Sequence, residues 1–159
     1  MKCLKQTFFP IFAGMLIVLM AGCSTVGEVV GRDTTVTLDI RSATDINPNE
    51  DGRASPIILN FYALENERQF EQEDFIALYQ DPDSVLGRDL IFTTKFKEFT
   101  PGEVRTESLV IDDRTRYIGI MAEFIRYEDA STKIVIPVDA HTGNKFRVFI
   151  DRLSMRYED

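Results

Sequence analysis

Residues 34 to 41 read TTVTLDIR, and this alternation decides the fold class. Val36, Leu38 and Ile40 fall on one side; Thr35, Thr37, Asp39 and Arg41 fall on the other. A period of two in β-branched residues describes a strand with one buried face. Outward from it the pattern repeats. Residues 57 to 64, IILNFYAL, form a nearly continuous apolar run opened by Pro56. That suits a central strand covered on both faces, with proline at its start, where no ladder donor is needed. Residues 89 to 99, DLIFTTKFKEF, set Leu90, Phe92 and Phe96 on one face, so Leu38 and Phe92 are both expected in the interior. Thr100-Pro101-Gly102-Glu103 carries the type II turn signature, and residues 104 to 111 follow as a strand. Asp112-Asp113 reads as a hairpin turn into RYIGIMAEFIR, residues 116 to 126, with Gly119 as a bulge or a point of close approach. Residues 133 to 138 and KFRVFIDRLSMRYE complete the set; the latter shifts phase near Asp151-Arg152, which predicts a bulge or a break into two strands. Seven to eight short strands favour a mainly β, two-sheet antiparallel sandwich.

One stretch departs from the period of two. In NERQFEQEDFIALYQDPDSVLG, residues 66 to 87, Phe75, Leu78 and Tyr79 have helical spacing, with Phe70 a turn and a bit earlier. Pro82 ends that helix, and Asp83 to Leu86 have room for one more turn before Gly87. The expectation is a small helical insert packed on the sandwich by its aromatic stripe.

A chain of 159 residues is one domain's worth, and 44% apolar residues with twelve Phe can build a core. A net charge of −8 argues against a nucleic-acid binder, which would carry a basic stripe. Cys3 and Cys23 both precede the strands, so the domain has neither a disulfide framework nor a cysteine metal cluster. His141 is the single histidine and sits in a Thr/Gly/Asn turn, where it reads as a solvated residue. No catalytic residue and no metal site are expected, and the chain does not read as an enzyme. Asp45, Asn47, Asn49 and Asp51 alternate as calcium ligands would, but they lack the central Gly and final Glu of an EF-hand loop.

The first residues, MKCLKQTFFPIFAGMLIVLMAGC, order a basic segment with Lys2 and Lys5, an apolar run and a small-residue cleavage site. That is a secretory signal, and its run is short for a membrane-spanning helix. Leu19-Met20-Ala21-Gly22-Cys23 resembles the bacterial lipobox, which implies cleavage of residues 1–22 and acylation of Cys23. Ser24 follows, where an aspartate would resemble an inner-membrane retention signal, so sorting to the outer membrane is expected. Cleavage removes two lysines and no acid, leaving the mature chain more acidic still. Residues 23–32 then form a short lipidated tether, and 33–159 the sandwich domain, with its insert at about 66–87. No cofactor is expected beyond the covalent lipid on Cys23.

Between the first strand and Pro56 lies SATDINPNEDGRAS, residues 42 to 55, without an apolar period. Connections longer than about 12 to 15 residues are uncommon in compact domains and are often functional. Asn47-Pro48 and Asp51-Gly52 impose turns, so the loop is shaped rather than floppy. An ordinary tolerant surface loop is the alternative reading. The candidate partner-binding residues are Asn47, Pro48, Asn49, Asp51, Gly52 and Arg53, with Arg53 the candidate dominant charge.

Several of these features together resemble one family, the outer-membrane lipoprotein of the bacterial type VI secretion system (TssJ or VasD). They are the lipobox at Cys23, INPNEDGRASPIILNFYAL (46 to 64), Phe70 with DFIAL (74 to 78), Pro101-Gly102 and YIGIMAEFIR (117 to 126). Where similar proteins often carry Trp-Arg, this chain reads Ala130-Ser131-Thr132-Lys133. The resemblance implies a transthyretin-like sandwich with a structural job. The chain would be held at the outer membrane, facing the periplasm of a Gram-negative bacterium. It would grip the periplasmic C-terminal part of the large inner-membrane subunit through the loop from Ser42 to Ser55. No nucleic acid or small-molecule substrate is implied. Two rival classes share parts of the pattern: an assembly factor or pilotin of another envelope machine, and a periplasmic small-ligand-binding domain.

Overall fold

The computed structural model describes residues 33 to 159. The expected signal peptide and lipidated tether, with Cys23 and Ser24, lie outside the described residues.

Among the described residues, eight strands form two four-stranded sheets. They are β1 (Thr34–Ser42), β2 (Leu59–Leu64), β3 (Leu90–Lys95), β4 (Val104–Ile111), β5 (Tyr117–Ala122), β6 (Lys133–Pro137), β7 (Gly143–Ile150) and β8 (Met155–Glu158). One sheet runs β4-β1-β7-β8 and the other β3-β2-β5-β6. Val36, Leu38, Ile40, Val148 and Ile150 of the first meet Leu59, Phe61, Ala63, Ile118 and Ile120 of the second in one buried cluster. The expected sandwich is therefore present, and β2 is its central, doubly covered strand, buried at every position.

The pairing is not wholly antiparallel. β1 pairs antiparallel with β4 but parallel with β7. The two are far apart in sequence, so no hairpin fixes their relative direction. The turns at 100–103 and 112–115 likewise join strands of different sheets. Asp112-Asp113 is thus an arch between layers and not a hairpin. The type II geometry holds: Gly102 has φ +80°, and Glu103 N–H donates to the Thr100 carbonyl at 3.1 Å. The phase shift near Asp151 is a true break, with β7 and β8 forming a hairpin around it.

Phe92 corrects the expected core. Between Ala63 and Leu64 the β2–β3 register slips, so that Phe92 opposes Ala63 and Leu90 opposes Leu64. Ile91, the extra residue, packs on the main core, and Phe92 on this edge strand remains 46% exposed. Leu90 goes to the opposite face, against the insert. A bulge divides a run that alternation alone assigns to one face. Leu38 is fully buried, as expected.

The insert comprises α1 (Arg68–Gln72), α2 (Phe75–Gln80) and α3 (Pro82–Leu86). Asp74 caps α2, accepting from Ala77 N–H, and Asp81 caps α3, where Pro82 occupies the first turn. Phe70, Leu78 and Leu86 cover Tyr62, Leu64 and Met121 on the outer face of the second sheet, making a second, smaller core. Burial there and the nearby Glu123 carboxylate push the Tyr62 hydroxyl up to about 12. Tyr79, expected in the packed stripe, is 49% exposed. Gly119 is the point of close approach: a Cβ on it would come within 2.8 Å of Phe70 Cζ. Lys133 of β6 holds the end of α1, its ammonium donating to the carbonyls of Phe70, Glu71 and Glu73.

Candidate protein-docking site

The long loop after β1 is a braced finger. Its base is fixed at Ser42, whose hydroxyl donates to the Thr100 carbonyl at 2.7 Å and accepts from Glu103 N–H at 2.9 Å. Ala43 N–H donates to Ile150 and Gly102 N–H to Ala43, tying the finger to β7 and to the β3–β4 turn. Ile46 is fully buried in the main core, an apolar anchor that the polar sequence around it hides.

Asn47 is 2% exposed and adopts φ +47°. Its side chain donates to the Pro56 carbonyl at 2.7 Å and accepts from Ile125 N–H at 2.7 Å, while its own N–H donates to the Arg152 carbonyl at 3.0 Å. One side chain thus joins the two stems of the finger to the β5–β6 connection. Pro48 beside it is also buried. Of the six candidate contact residues, these two are internal, and a partner would meet the remaining four.

Those four form the tip. Asn49 closes it: its carbonyl accepts from Gly52 N–H and its side-chain oxygen from Arg53 N–H, both at 2.9 Å. Gly52 has φ +76°, a conformation that disfavours residues with a Cβ. Asp51 and Arg53 project into solvent, their side chains 69% and 80% exposed and 3.7 Å apart. An exposed pair of this kind contributes at most about 1 kcal/mol, so Arg53 is available to another molecule.

Beside the tip runs the β5–β6 connection; β5 ends at Ala122, so Glu123 to Arg126, expected as strand, belong to this connection instead. Phe124 turns into the core, and Ile125, its neighbour, is 51% exposed. Arg126 pairs with Asp129, and Tyr127 stacks on Phe75 with centroids 4.8 Å apart. Glu50 and residues 125 to 129 line a cleft of about 530 Å³. The sequence signal for it is slight: two consecutive apolar residues at the end of a strand, only one of which the core can accept.

The other polar candidates disperse. Asn47 uses its oxygen on Ile125, and Asp45 lies 3.6 Å from Arg152, so the alternating Asp/Asn set does not converge. Among the described residues no three His, Cys, Asp or Glu side chains group as metal ligands. His141 is solvent-facing in its turn, with Nδ1 3.4 Å from Asp113, and Asp113 accepts from the Thr34 hydroxyl. That hydroxyl meets the carboxylate and the His141 backbone N–H, not the imidazole, so the three do not form a nucleophile–base pair.

Comparison with known families decides the kinship. Residues 34–153 match the family described as type VI secretion lipoprotein, VasD, EvfM, TssJ, VC_A0113. This chain belongs to that lipoprotein family. Among solved structures it is similar to the T6SS lipoprotein TssJ1 from Pseudomonas aeruginosa, with 26% identity and a TM-score of 0.75 over 79% of this chain and 95% of that one. It shares its fold with Serratia marcescens Lip, described as a membrane-bound component of the type VI secretion system. There the identity is 20% and the TM-score 0.73, covering 80% of this chain and 97% of Lip. The same fold occurs in a chain of the structure of the T6SS protein TssM C-terminal domain (869–1107) from EAEC, at 20% identity and TM-score 0.65, covering 79% of this chain and 98% of that one. Curated protein sequences give no significant match. The family match of this lipoprotein includes the whole finger and the β5–β6 connection.

Proposed function

We propose that this lipoprotein anchors a type VI secretion trans-envelope complex at the outer membrane, through acyl chains on Cys23 and a docking finger. The finger grips the periplasmic C-terminal part of the large inner-membrane subunit. The role is mechanical rather than catalytic. The observation that carries the reading is the finger itself: an exposed tip, Asn49 to Arg53, on a base held by buried Ser42, Ile46 and Asn47. A tip already ordered before contact loses less entropy on binding. The family match and the TssM C-terminal-domain structure support the choice of partner.

Polarity along β1 fits this role. The chain enters the domain at Thr34, and the finger leaves from Ser42, the opposite end of the same strand. At about 3.3 Å per residue, the eight steps from Thr34 to Ser42 set the point of entry and the base of the finger about 26 Å apart. Ser24 in place of aspartate supports outer-membrane sorting.

The test is titration calorimetry of the partner's periplasmic domain against wild type and a variant with Glu50–Gly52 replaced by two glycines. Asn47 and Pro48 are kept, because the fold needs them. Binding should fall at least tenfold with an unchanged melting temperature; wild-type affinity would refute the finger. In cells, Cys23→Ser should abolish fatty-acid labelling, and Ser24→Asp should move the protein toward inner-membrane fractions.

A further inference from the structure

The cleft between the finger and the β5–β6 connection has features that the tip lacks. Ile125 is held outward at 51% exposure, and its backbone is fixed by the bond from its N–H to Asn47. Tyr127, on the same wall, is immobilised by stacking on Phe75. Ordered apolar groups facing water beside a candidate docking element are what an interface core requires.

The charges around them are unbalanced. Arg126, the only cation lining the cleft among the described residues, is committed to Asp129, whose carboxylate lies 3.1 Å from its Nε. Glu50 on the finger and Glu128 on the opposite wall are exposed and have no ion-pair partner among the described residues. An exposed isoleucine in the same cleft as two unneutralised carboxylates complements a cation on an aliphatic stem.

We infer that this cleft takes a lysine or arginine of the partner subunit's periplasmic domain, seated over Ile125 with an aliphatic residue beside it. The inference rests on the docking role of the finger and names the chemistry that gives it selectivity. Asn47 makes the arrangement one unit, because it fixes the finger and the Ile125 backbone together.

The experiment uses the full chain in detergent and the partner's periplasmic domain, titrated at low and high salt. Three variants probe the cleft: Ile125→Asp, the pair Glu50→Gln with Glu128→Gln, and the pair Glu50→Lys with Glu128→Lys. All three side chains are exposed, so unfolding midpoints should stay at the wild-type value. Ile125→Asp should weaken binding at least tenfold. The glutamine pair should weaken it about tenfold at low salt and flatten its salt dependence; the lysine pair should do more. If the shortened finger loses binding while all cleft variants bind like wild type, the cleft is refuted and the finger stands. If Ile125→Asp alone weakens binding, the occupant is apolar and the basic side chain is refuted. If the cleft variants change only self-association, the occupant is a second copy of this chain. If the shortened finger and every cleft variant bind like wild type, both readings fall.

Discussion

The ring of Phe70 lies against the bare Cα of Gly119, so close that a methyl group there would come within 2.8 to 3.0 Å of three ring carbons. This contact joins the helical insert to the centre of β5. Phe70 is fully buried and tilts against Tyr62 at 5.1 Å. Gly119→Ala should therefore destabilise the domain by about 1 to 3 kcal/mol through overpacking. Phe70→Leu in the same chain should recover part of the loss, because a smaller side chain gives way. Urea unfolding of the two single variants and the double variant checks this, and strictly additive losses would refute the contact as the cause.

Asn47 is the second test. Asn47→Ala leaves the Ile125 N–H and the Pro56 carbonyl without their partner, at roughly 1 to 3 kcal/mol for a buried group, and puts a Cβ-bearing residue with no compensating bond at φ +47°. Both stability and partner binding should fall. Asn47→Gly relieves the backbone but not the bonds, so its loss should be smaller and still measurable by chemical denaturation.

Phe92 and Phe61 separate edge from core. Phe61 is fully buried, and Phe61→Ala should cost about 3 to 5 kcal/mol. Phe92→Ala should cost no more than about 1.5 kcal/mol, since nearly half of the side chain already faces water. Equal losses would mean that β3 sits deeper than its register indicates.

Acid should loosen the base of the finger. Glu103 is held below its ordinary 4.5 because its carboxylate accepts from the Thr100 N–H and then from the Thr100 hydroxyl, at 2.8 and 3.0 Å. Asp112 is lowered too, by hydrogen bonds from the Arg114 side chain and backbone. A depressed folded value means that the unfolded chain binds the proton more readily. The stabilisation is thus complete above the unfolded value and lost as pH falls through the folded one. Glu103→Gln should flatten the stability profile below pH 4.5, as followed by thermal melts across that range.

Much of the architecture was legible in local patterns. Alternation at Val36, Leu38 and Ile40 fixes a strand face because side chains alternate by geometry. The apolar run at 57 to 64 announces a doubly covered strand, and Pro101-Gly102 a turn, because each is a property of a few adjacent residues. The length and turn residues of the loop at 42 to 55 mark it as shaped, because Asn-Pro and Asp-Gly restrict the backbone locally. The pattern was least informative where distant segments meet. The parallel pairing of β1 with β7 has no local signature, since nothing in either strand encodes the other's direction. The β3 bulge moved Leu90 to the opposite face, because register is settled by the partner strand. Asn47 reads as a turn residue, yet it is buried because Pro56 and Ile125 happen to reach it. Ile125 and Tyr127 became candidates only beside Glu50, which folding brings to them from far along the chain. Sequence by itself determined which segments are strands, helices and turns, because those follow from neighbouring side chains. Tertiary structure decided which polar residues are internal braces and which stay exposed to solvent, because burial depends on what the rest of the chain places on top.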